Sequence, residues 1–566
     1  MTPRTASPPP RPSLLHRYGP LSIVLVAVVL AGVLASTGEN RGTGRARGDA
    51  TVGSAEKEIA VSWLEATKTG DIGDLDWGDR CDTTRGRLEI PSVYAPPCAA
   101  ARPGVEGGAT YQGVTADSIK VVLYQAADDD LAASLQEKAD PDDVVFEQRK
   151  LQVEMFEGLV ETWGRKIEIV RLKGRGSSET DARADAVKVA EEIKAFASIG
   201  GPAQESAYAQ ELASRGVLCI SCGLSMPDSF YQEHAPYVWG NLQTPEQYLP
   251  VLSEVTIDML NGGKATFAGD PAMHDRTRVF GSVNFEQDPP QFGDVNKRVD
   301  AVSKARGFER KISLTYQLVI PELAEKARTI IGQLKGAGVT TVIFLGDPVM
   351  PIYLTAAATA QNYFPEWIIT GTVLTDTTTL GRMYDQQQWA NAFGISSLPT
   401  PVPREQGESW RLHEWYYGEP PVAQRGAALS YEPIRLFMYG VHLAGPKLTP
   451  ETFRDGLFGY PPSGGDPIRP QISWGEHGYY EEPDYNAVDD MRLVWWDAEA
   501  TGLDEQGEEG TGMLRSAYGG KRFLMGQMPR TTDWIQNPDD APARFEDLAA
   551  VGVDVPDYPP PTRAGG

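Results

Sequence analysis

Short apolar runs alternate with longer amphipathic stretches from residue 119 onward. The run IKVVLY at 119–124 is typical of a strand that is buried on both faces. The following stretch carries Phe146, Leu151, Met155 and Leu159 near helical spacing, which predicts a helix. Further strands are predicted at 166–172, 196–201, 217–221, 237–240, 278–284, 311–317, 340–346 and 367–371. Further helices are predicted at 179–196, 202–216 and 244–263, the last with Thr244 as its N-cap and Pro245 as its first residue. This alternation predicts parallel sheets with covering helices.

The alternation occurs in two successive runs, which predicts an α/β protein with two doubly wound, parallel-sheet lobes. In such sheets, ligands bind at the carboxyl ends of the strands, near the point where the strand order reverses. The loops of interest therefore follow Tyr124, Gly200, Ser221, Asn284, Gly346 and Thr370. An amphipathic helix is predicted over 426–444, and short β-like pieces are predicted beyond residue 459.

The predicted boundaries divide the chain into seven segments. These are a cytoplasmic tail with a signal peptide or membrane anchor (1–36), a linker and a small pre-domain with Cys81 and Cys98 (37–110), the first part of lobe 1 (111–242), the first part of lobe 2 (243–371), a return to lobe 1 (372–448), a C-terminal extension on lobe 2 (449–535) and an irregular tail (536–566).

The N-terminus determines the predicted compartment. Residues 1–17 carry Arg4, Arg11 and Arg17, and the apolar run LSIVLVAVVLAGVLA follows at 21–35. A basic segment before an apolar one is typical of a signal peptide, and the run is close to the ~17 residues that span a bilayer. The sequence therefore predicts a single N-terminal hydrophobic helix, either cleaved or kept as a membrane anchor. In both cases the rest of the chain lies outside the cytoplasm.

Charge and motif content narrow the function. The 566-residue chain carries a net charge of −25, which argues against a nucleic-acid-binding surface. None of the six histidines lies in a metal-binding spacing, and the chain has no nucleophile elbow or phosphate-binding loop. The sequence therefore predicts no metal, no cofactor and no catalytic site.

The four cysteines fall into two pairs. Cys81 and Cys98 are close in sequence and are expected to pair in an exported protein, with about 3 kcal/mol of stabilisation from loop closure. Cys219 and Cys222 form a C-x-x-C sequence, which is compatible both with a local disulfide and with two reduced thiols. A redox role requires this sequence at a helix N-terminus, whereas Cys219 lies inside a predicted buried strand. These two cysteines are interpreted as shaping the loop that follows.

Five segments carry a family resemblance. They are YQGVTADSIKVVLYQ, FASIGGPAQESAYAQELASRGVLCISCGLS, VFGSVNFEQDPPQFGDVNKRV, TTVIFLGDP and WIITG. By their order and spacing, the chain resembles a type I periplasmic solute-binding protein over roughly 113–460, in the branch for branched-chain amino acids, amides and urea. The resemblance implies two lobes that close on a small ligand around a hinge of three crossing strands. It also implies a partner, the permease of an ABC importer.

The resemblance also implies a set of ligand-binding residues. The loop from Gly200 to Ser206 opens a helix whose N–H groups would attract an anion or a carbonyl oxygen. The loop Gly223-Leu224-Ser225 would offer backbone groups and a hydroxyl, and Phe292 of the other lobe would pack on the ligand. The candidate residues are Gln125, Gln204, Glu205, Ser206, Gly223, Leu224, Ser225, Phe292, Asp347 and Thr372.

Several alternatives stay open at this level. Asp347 can be a helix cap, Ser225 a turn residue and Phe292 a core residue. Amino-acid binders of the family place an acid just after the strand equivalent to WIITG, but this chain has no acid there before Asp376. The expected ligand is therefore a small polar solute, such as an amino acid, an amide or a similar compound. The alternative functions are a ligand-sensing or scaffold ectodomain of the same fold and a thiol-disulfide redox protein.

Overall fold

The computed structural model describes residues 58–130, 140–202, 206–223, 226–286, 297, 300–301, 303–552 and 555–562. The predicted hydrophobic segment at 21–35 lies outside these residues. Within the described part, no helix combines the length and the apolar character needed to span a membrane.

The first sheet has five parallel strands. They are β1 (Ser118–Gln125), β2 (Lys166–Lys173), β3 (Ala197–Ile199), β4 (Leu218–Ile220) and β5 (Val238–Trp239). Their order is β2-β1-β3-β4-β5, so the strand order reverses between β1 and β3. Val121, Val122 and Leu123 are fully buried, as expected for a parallel sheet that is covered on both faces.

Helices cover the first sheet on both sides. Four helices each connect two consecutive strands of this sheet: α1 (Asp142–Glu157), α2 (Glu179–Val187, continued by a short π-helix), α3 (Ser206–Ser214) and α4 (Asp228–Glu233). The Ser178 hydroxyl accepts from the Asp181 amide and so caps α2. The predicted helices at 179–196 and 202–216 thus correspond to real helices with shorter bounds.

The second sheet repeats the same strand order and then extends it. Its parallel strands are β6 (Phe280–Phe285), β7 (Ile312–Tyr316), β8 (Thr341–Leu345), β9 (Glu366–Ile369) and β10 (Ala392–Ser396), in the order β7-β6-β8-β9-β10. The antiparallel strands β11 (Met491–Leu503), β12 (Glu509–Ser516) and β13 (Arg522–Phe523) follow beyond β10, with β13 paired to β11. The reversal point of this sheet lies between β6 and β8.

The helices of the second lobe cover both faces of its sheet. They are α5 (Pro245–Ser253, continued by a π-turn), α6 (Leu323–Gly336), α7 (Met350–Ala360), α8 (Thr378–Gly381) and α9 (Gln386–Trp389). Thr244 and Gln247 form the capping box of α5, and Pro245 is its first residue, as the sequence predicts. Two separate apolar clusters fill the two faces, one with Leu334 and Leu354 and the other with Leu252 and Phe393.

Two predicted boundaries differ from the structure. The return to lobe 1 was expected from residue 372, yet β10 is the fifth strand of the second sheet. The extension over 449–535 was expected on lobe 2, yet its first half belongs to the core of lobe 1. That core includes α10 (Glu408–Tyr417), α11 (Ala427–Ala444), α12 (Pro450–Phe458) and the buried Trp474. The strand β10 was missed because it is short and contains Gly394, a residue typical of turns.

Gly394 is required where it stands. A β-carbon on it would lie 1.9 Å from the Ile369 carbonyl oxygen of the neighbouring strand. A glycine inside a strand often marks such a close approach of two backbones.

Besides the C-terminal tail, three segments of the described chain pass between the lobes. They are 240–244, after β5, 397–407, after β10, and 488–490, before β11. Arg522 ties two of them together, because its Nη1 donates to the Leu398 carbonyl at 2.9 Å and its Nε lies 2.7 Å from the Asp490 carboxylate. The Gly240 amide donates to the Tyr485 carbonyl at 3.0 Å. These are the connecting segments between the lobes.

The N-terminal segment and the tail both pack on lobe 1. Cys81 and Cys98 are joined, and Cys98 is fully buried in the same apolar cluster as the first sheet. The segment predicted as a pre-domain therefore belongs to the core of lobe 1. The tail leaves lobe 2 and returns: the Tyr558 hydroxyl donates to Asp82 at 2.6 Å, and its carbonyl accepts from Trp415 at 2.7 Å.

Candidate ligand-binding site

The reversal point of the first sheet is the natural starting place for a ligand site. Strand β1 ends at Gln125, and β3 ends at Ile199. The chain turns away from β3 at Gly200, whose φ of +84° favours glycine. A β-carbon there would lie 3.4 Å from the Tyr124 carbonyl oxygen, so the Gly200 turn closes over the end of β1.

A guanidinium group that is not among the predicted ligand-binding residues occupies this crevice. Arg149 projects from α1, and its Nη1 donates to the Tyr124 carbonyl at 2.6 Å while its Nη2 donates to the Ile199 carbonyl at 2.8 Å. Its Nε is buried without a partner among the described residues. Burial lowers the pKa of Arg149 to about 10. The side chain nevertheless keeps partial contact with solvent, as expected for a group in a narrow crevice.

Gln125 was predicted to contact the ligand, but the structure uses its side chain internally. Its Oε1 accepts two hydrogen bonds from Arg171, at 2.9 and 2.7 Å, and its Nε2 donates to Asp142. The side chain is also 8% exposed. Gln125 therefore ties the end of β1 to β2 and α1 rather than offering free polar atoms.

The C-x-x-C loop lies beside the Gly200 turn. Cys219 and Cys222 are joined and are 0% and 2% exposed. Ser221 between them has a φ of +53°, and its hydroxyl is buried without a partner among the described residues. A β-carbon on Gly201 would lie 2.6 Å from the Cys222 carbonyl oxygen, so the two loops are in direct contact. The disulfide thus shapes the wall of the crevice.

The contact between these loops gives a prediction. We expect Gly201→Ala to lower the free energy of unfolding by about 1–3 kcal/mol, because the added methyl group would push the disulfide loop away from the turn. Urea denaturation measures the change. Gly336→Ala is the matched control, because its β-carbon would meet no atom within 4 Å. Equal stability of the two variants would contradict the close packing of the loops.

The other predicted residues of lobe 1 are only partly described. Ser206 opens α3 and is half-buried, and Gly223 follows the disulfide loop. Gln204, Glu205, Leu224 and Ser225 lie outside the described residues, as does Phe292 of lobe 2. The two gaps in lobe 1 follow Pro202 and Gly223, just after the ends of β3 and β4.

In lobe 2, Asp347 serves as a helix cap. Its Oδ1 accepts from the amides of Val349 and Met350 at 2.8 and 3.0 Å, at the start of α7, and its Oδ2 accepts from the Tyr316 hydroxyl. Burial raises the pKa of this carboxyl, while these hydrogen bonds lower it. The capping alternative considered for Asp347 is the one that the structure supports.

The loop after β9 holds Thr372 and a strained turn. The Thr372 hydroxyl accepts from the Gly346 amide at 3.3 Å and lies 3.1 Å from the Thr370 hydroxyl, so it connects the ends of β8 and β9. Val373 and Leu374 have φ values of +43° and +64°, which are costly for a β-branched or bulky residue. The side chain of Leu374 is 41% exposed. This loop presents an apolar side chain at the carboxyl edge of the second sheet.

Asp376 does not supply the missing acid. It lies beside Gly371, because a β-carbon there would be 3.6 Å from the Asp376 Oδ2. The residue is 1% exposed, and burial raises the pKa of its carboxyl. A carboxyl group that is buried in this way is poorly placed to pair with a ligand ammonium group.

A second group of buried polar residues lies at and near the connecting segments. Asp489 Oδ2 accepts from the Ser473 hydroxyl at 2.8 Å, and Asp484 Oδ1 accepts from Gln247 at 2.6 Å. Burial raises the pKa of Asp489 to about 7 and that of Asp484 well above its usual range. Among the described residues, no three His, Cys, Asp or Glu side chains are arranged to hold a metal ion.

Comparisons with known proteins extend this picture only at the level of structure. No family model and no curated protein matches the chain. The structure is similar to solute-binding proteins of ABC transporters. One from R. palustris, in complex with 4-hydroxybenzoate, is 13% identical, with a TM-score of 0.48 over 73% of this chain and 98% of its own.

Two further solved structures are similar to a comparable degree. The branched-chain amino acid transporter substrate-binding protein from Streptococcus pneumoniae, in complex with isoleucine, is 14% identical, with a TM-score of 0.44 over 71% of this chain and 100% of its own. The fatty acid ABC transporter substrate-binding protein from Thermomonospora curvata is 14% identical, with a TM-score of 0.46 over 80% and 98%.

Proposed function

We propose that this protein is an extracytoplasmic solute-binding receptor, which captures a small polar ligand between its two lobes for an ABC importer. It is anchored by one N-terminal helix or secreted after cleavage of a signal peptide. The ligand would be an amino acid, an amide or a similar compound. In this role the protein binds and releases its ligand without a catalytic step.

The position of the hinge carries the proposal. Residues 240–244 leave the first sheet at the carboxyl end of β5, and 397–407 leave the second at the carboxyl end of β10. Residues 488–490 enter β11 at its first residues, where Arg492 pairs with Ser396 at the same end of β10. Because the connections leave both sheets at this edge, we expect the two carboxyl edges to border one cleft. Each edge also contains the reversal point at which such sheets bind ligands.

A hinged cleft of this kind works by a shift between open and closed conformations of the protein. Ligand contacts that both lobes make only in the closed form would favour that form over the open one. Lobe 1 would contribute the crevice with the Gly200 turn and the loop to Ser225, and lobe 2 would contribute Phe292 and the loop of Thr372 and Leu374. The buried Cys219–Cys222 disulfide would serve as a structural tie, because a substrate thiol could not reach it.

Ligand screening tests the proposal. We expect at least one solute among amino acids, their amides, urea, polyamines and aromatic carboxylates to raise the melting temperature, and calorimetry to give one site per chain. The midpoint should rise with ligand concentration, as binding to the folded state alone requires. A protein that no member of the panel stabilises would contradict the proposal.

Two substitutions test the proposed site. Ser225→Ala and Phe292→Ala should each weaken the best ligand by about tenfold, which is the loss of roughly 1.4 kcal/mol of binding free energy. Calorimetry measures the affinity. Ser214→Ala is the matched control, since Ser214 is exposed at the far end of α3. Unchanged affinity in both site variants would remove Ser225 and Phe292 from the site.

A further inference from the structure

We infer that Arg149 binds an anionic group of the solute, and that the ligand is therefore a small carboxylate. The inference rests on the proposed function, because it assigns a chemical class to the ligand of that same cleft. Arg149 is not among the ligand-binding residues that the family resemblance implies. A guanidinium group matches a carboxylate in shape and charge, because two parallel N–H groups can donate to its two oxygens.

The position of Arg149 is the first argument. Its guanidinium bridges the carbonyl groups that end β1 and β3, at 2.6 and 2.8 Å, and so lies at the reversal point of the first sheet. Only two of the five N–H groups of the side chain are used in this way. The Nε–H remains without a partner among the described residues. The group therefore keeps free donors at the place where the sheet would receive a ligand.

Charge is the second argument. Arg149 forms no ion pair with any residue that the structure describes. Three more deeply buried arginines of the chain are paired: Arg278 with Glu366, Arg435 with Glu408 and Arg522 with Asp490. Arg165 and Arg492, by contrast, also form no ion pair with a described residue and donate to backbone or hydroxyl oxygens. A charge with little access to solvent and no counter-ion is costly. A ligand carboxylate would supply the missing negative charge.

The Gly200 turn reaches the guanidinium. A β-carbon on Gly200 would lie 3.6 Å from the Arg149 Nη2, which is an ordinary contact distance. The next strand, β4, is followed directly by Ser221, whose buried hydroxyl has no partner among the described residues. This hydroxyl is a further unpaired polar group at the carboxyl edge of the first sheet.

Matched acid and amide probes test the inference on the unmodified protein. The pairs are benzoate with benzamide, isovalerate with isovaleramide and L-isoleucine with L-isoleucinamide. We expect at least one acid to raise the melting temperature and its amide to have no effect. If acid and amide stabilise the protein equally, the inference is wrong, although the proposed function stands. If no probe of this panel or of the wider screen binds, the proposed function itself fails.

Substitution of the arginine gives the second test. Arg149→Met should lower the affinity for the most tightly bound acid by about 10- to 100-fold, the usual loss for a hydrogen bond to a charged group. Arg165→Met is the matched control, because Arg165 also donates to backbone carbonyls, of Thr115, Gly108 and Pro446, but at the opposite end of β2. Equal affinity of the Arg149 variant and the control would overturn the inference. If Arg149→Met does not fold, Arg149→Lys and the acid–amide comparison decide.

Discussion

Replacing Arg278 with methionine is expected to lower the free energy of unfolding by about 3–5 kcal/mol. The Arg278 Nε lies 2.8 Å from Glu366 Oε2, and its Nη2 donates to Oε1 at 3.0 Å. The side chains are 3% and 0% exposed, and Thr341 donates to the same carboxylate at 2.7 Å. Removal of the arginine would leave Glu366 charged and buried at the start of β9. Urea denaturation measures the loss.

The matched control is Arg276→Met. Arg276 is exposed and makes one hydrogen bond to the Gly338 carbonyl, so its loss should change stability by no more than about 0.5 kcal/mol. Arg278→Met combined with Glu366→Leu should recover part of the lost stability, because no unpaired charge remains. A loss below about 1 kcal/mol for Arg278→Met alone would contradict a buried, unscreened pair at this position.

The second large effect concerns pH. Burial raises the pKa of Asp489 to about 7, whereas an unfolded aspartate titrates near ~3.9. The folded state thus keeps a proton that the unfolded state has lost. Proton binding by Asp489 therefore favours the folded state fully below the unfolded pKa, and this contribution is lost as pH rises through the folded pKa. Asp489 should therefore cost the protein about 4 kcal/mol between roughly pH 4 and pH 7.

The measurement is the difference between the wild type and Asp489→Asn. The variant should gain relative stability as pH rises through this window, because an amide keeps an acceptor for Ser473 without a charge. A comparison of variants is necessary because burial lowers the pKa of His413 and of His442 to about 4, which acts in the opposite direction. Asp539→Asn, at an exposed position, is the control. A pH-independent difference for Asp489→Asn would show that the carboxyl titrates normally.

The sequence predicted the repeating part of the fold well. IKVVLY and TTVIFLG are apolar because β1 and β8 are buried on both faces, and local composition is enough to identify such strands. Thr244 and Pro245 identified the start of α5 for a similarly local reason. Strand β10 was not predicted because Gly394 is required by the close approach of Ile369 in the neighbouring strand, and local sequence does not show that contact. The lobe to which α12 belongs depends on packing between distant segments, which periodicity does not contain.

The candidate site was less predictable. Gln125 and Asp347 have the right position and chemistry, but Arg171 and Tyr316 occupy their polar atoms, and these partners are distant in sequence. Arg149 was overlooked, although a signal exists. Val145, Arg149 and Val153 recur every four residues, and the two valines are buried, so the arginine lies on the inward face of α1.

Small-angle X-ray scattering tests the central claim, that a solute is captured between two hinged lobes, most directly. The protein is measured alone and with a ligand that calorimetry shows to be saturating. We predict a smaller radius of gyration with ligand, because contacts from both carboxyl edges would close the cleft around 240–244, 397–407 and 488–490. An unchanged radius at full occupancy would contradict capture by closure of the lobes.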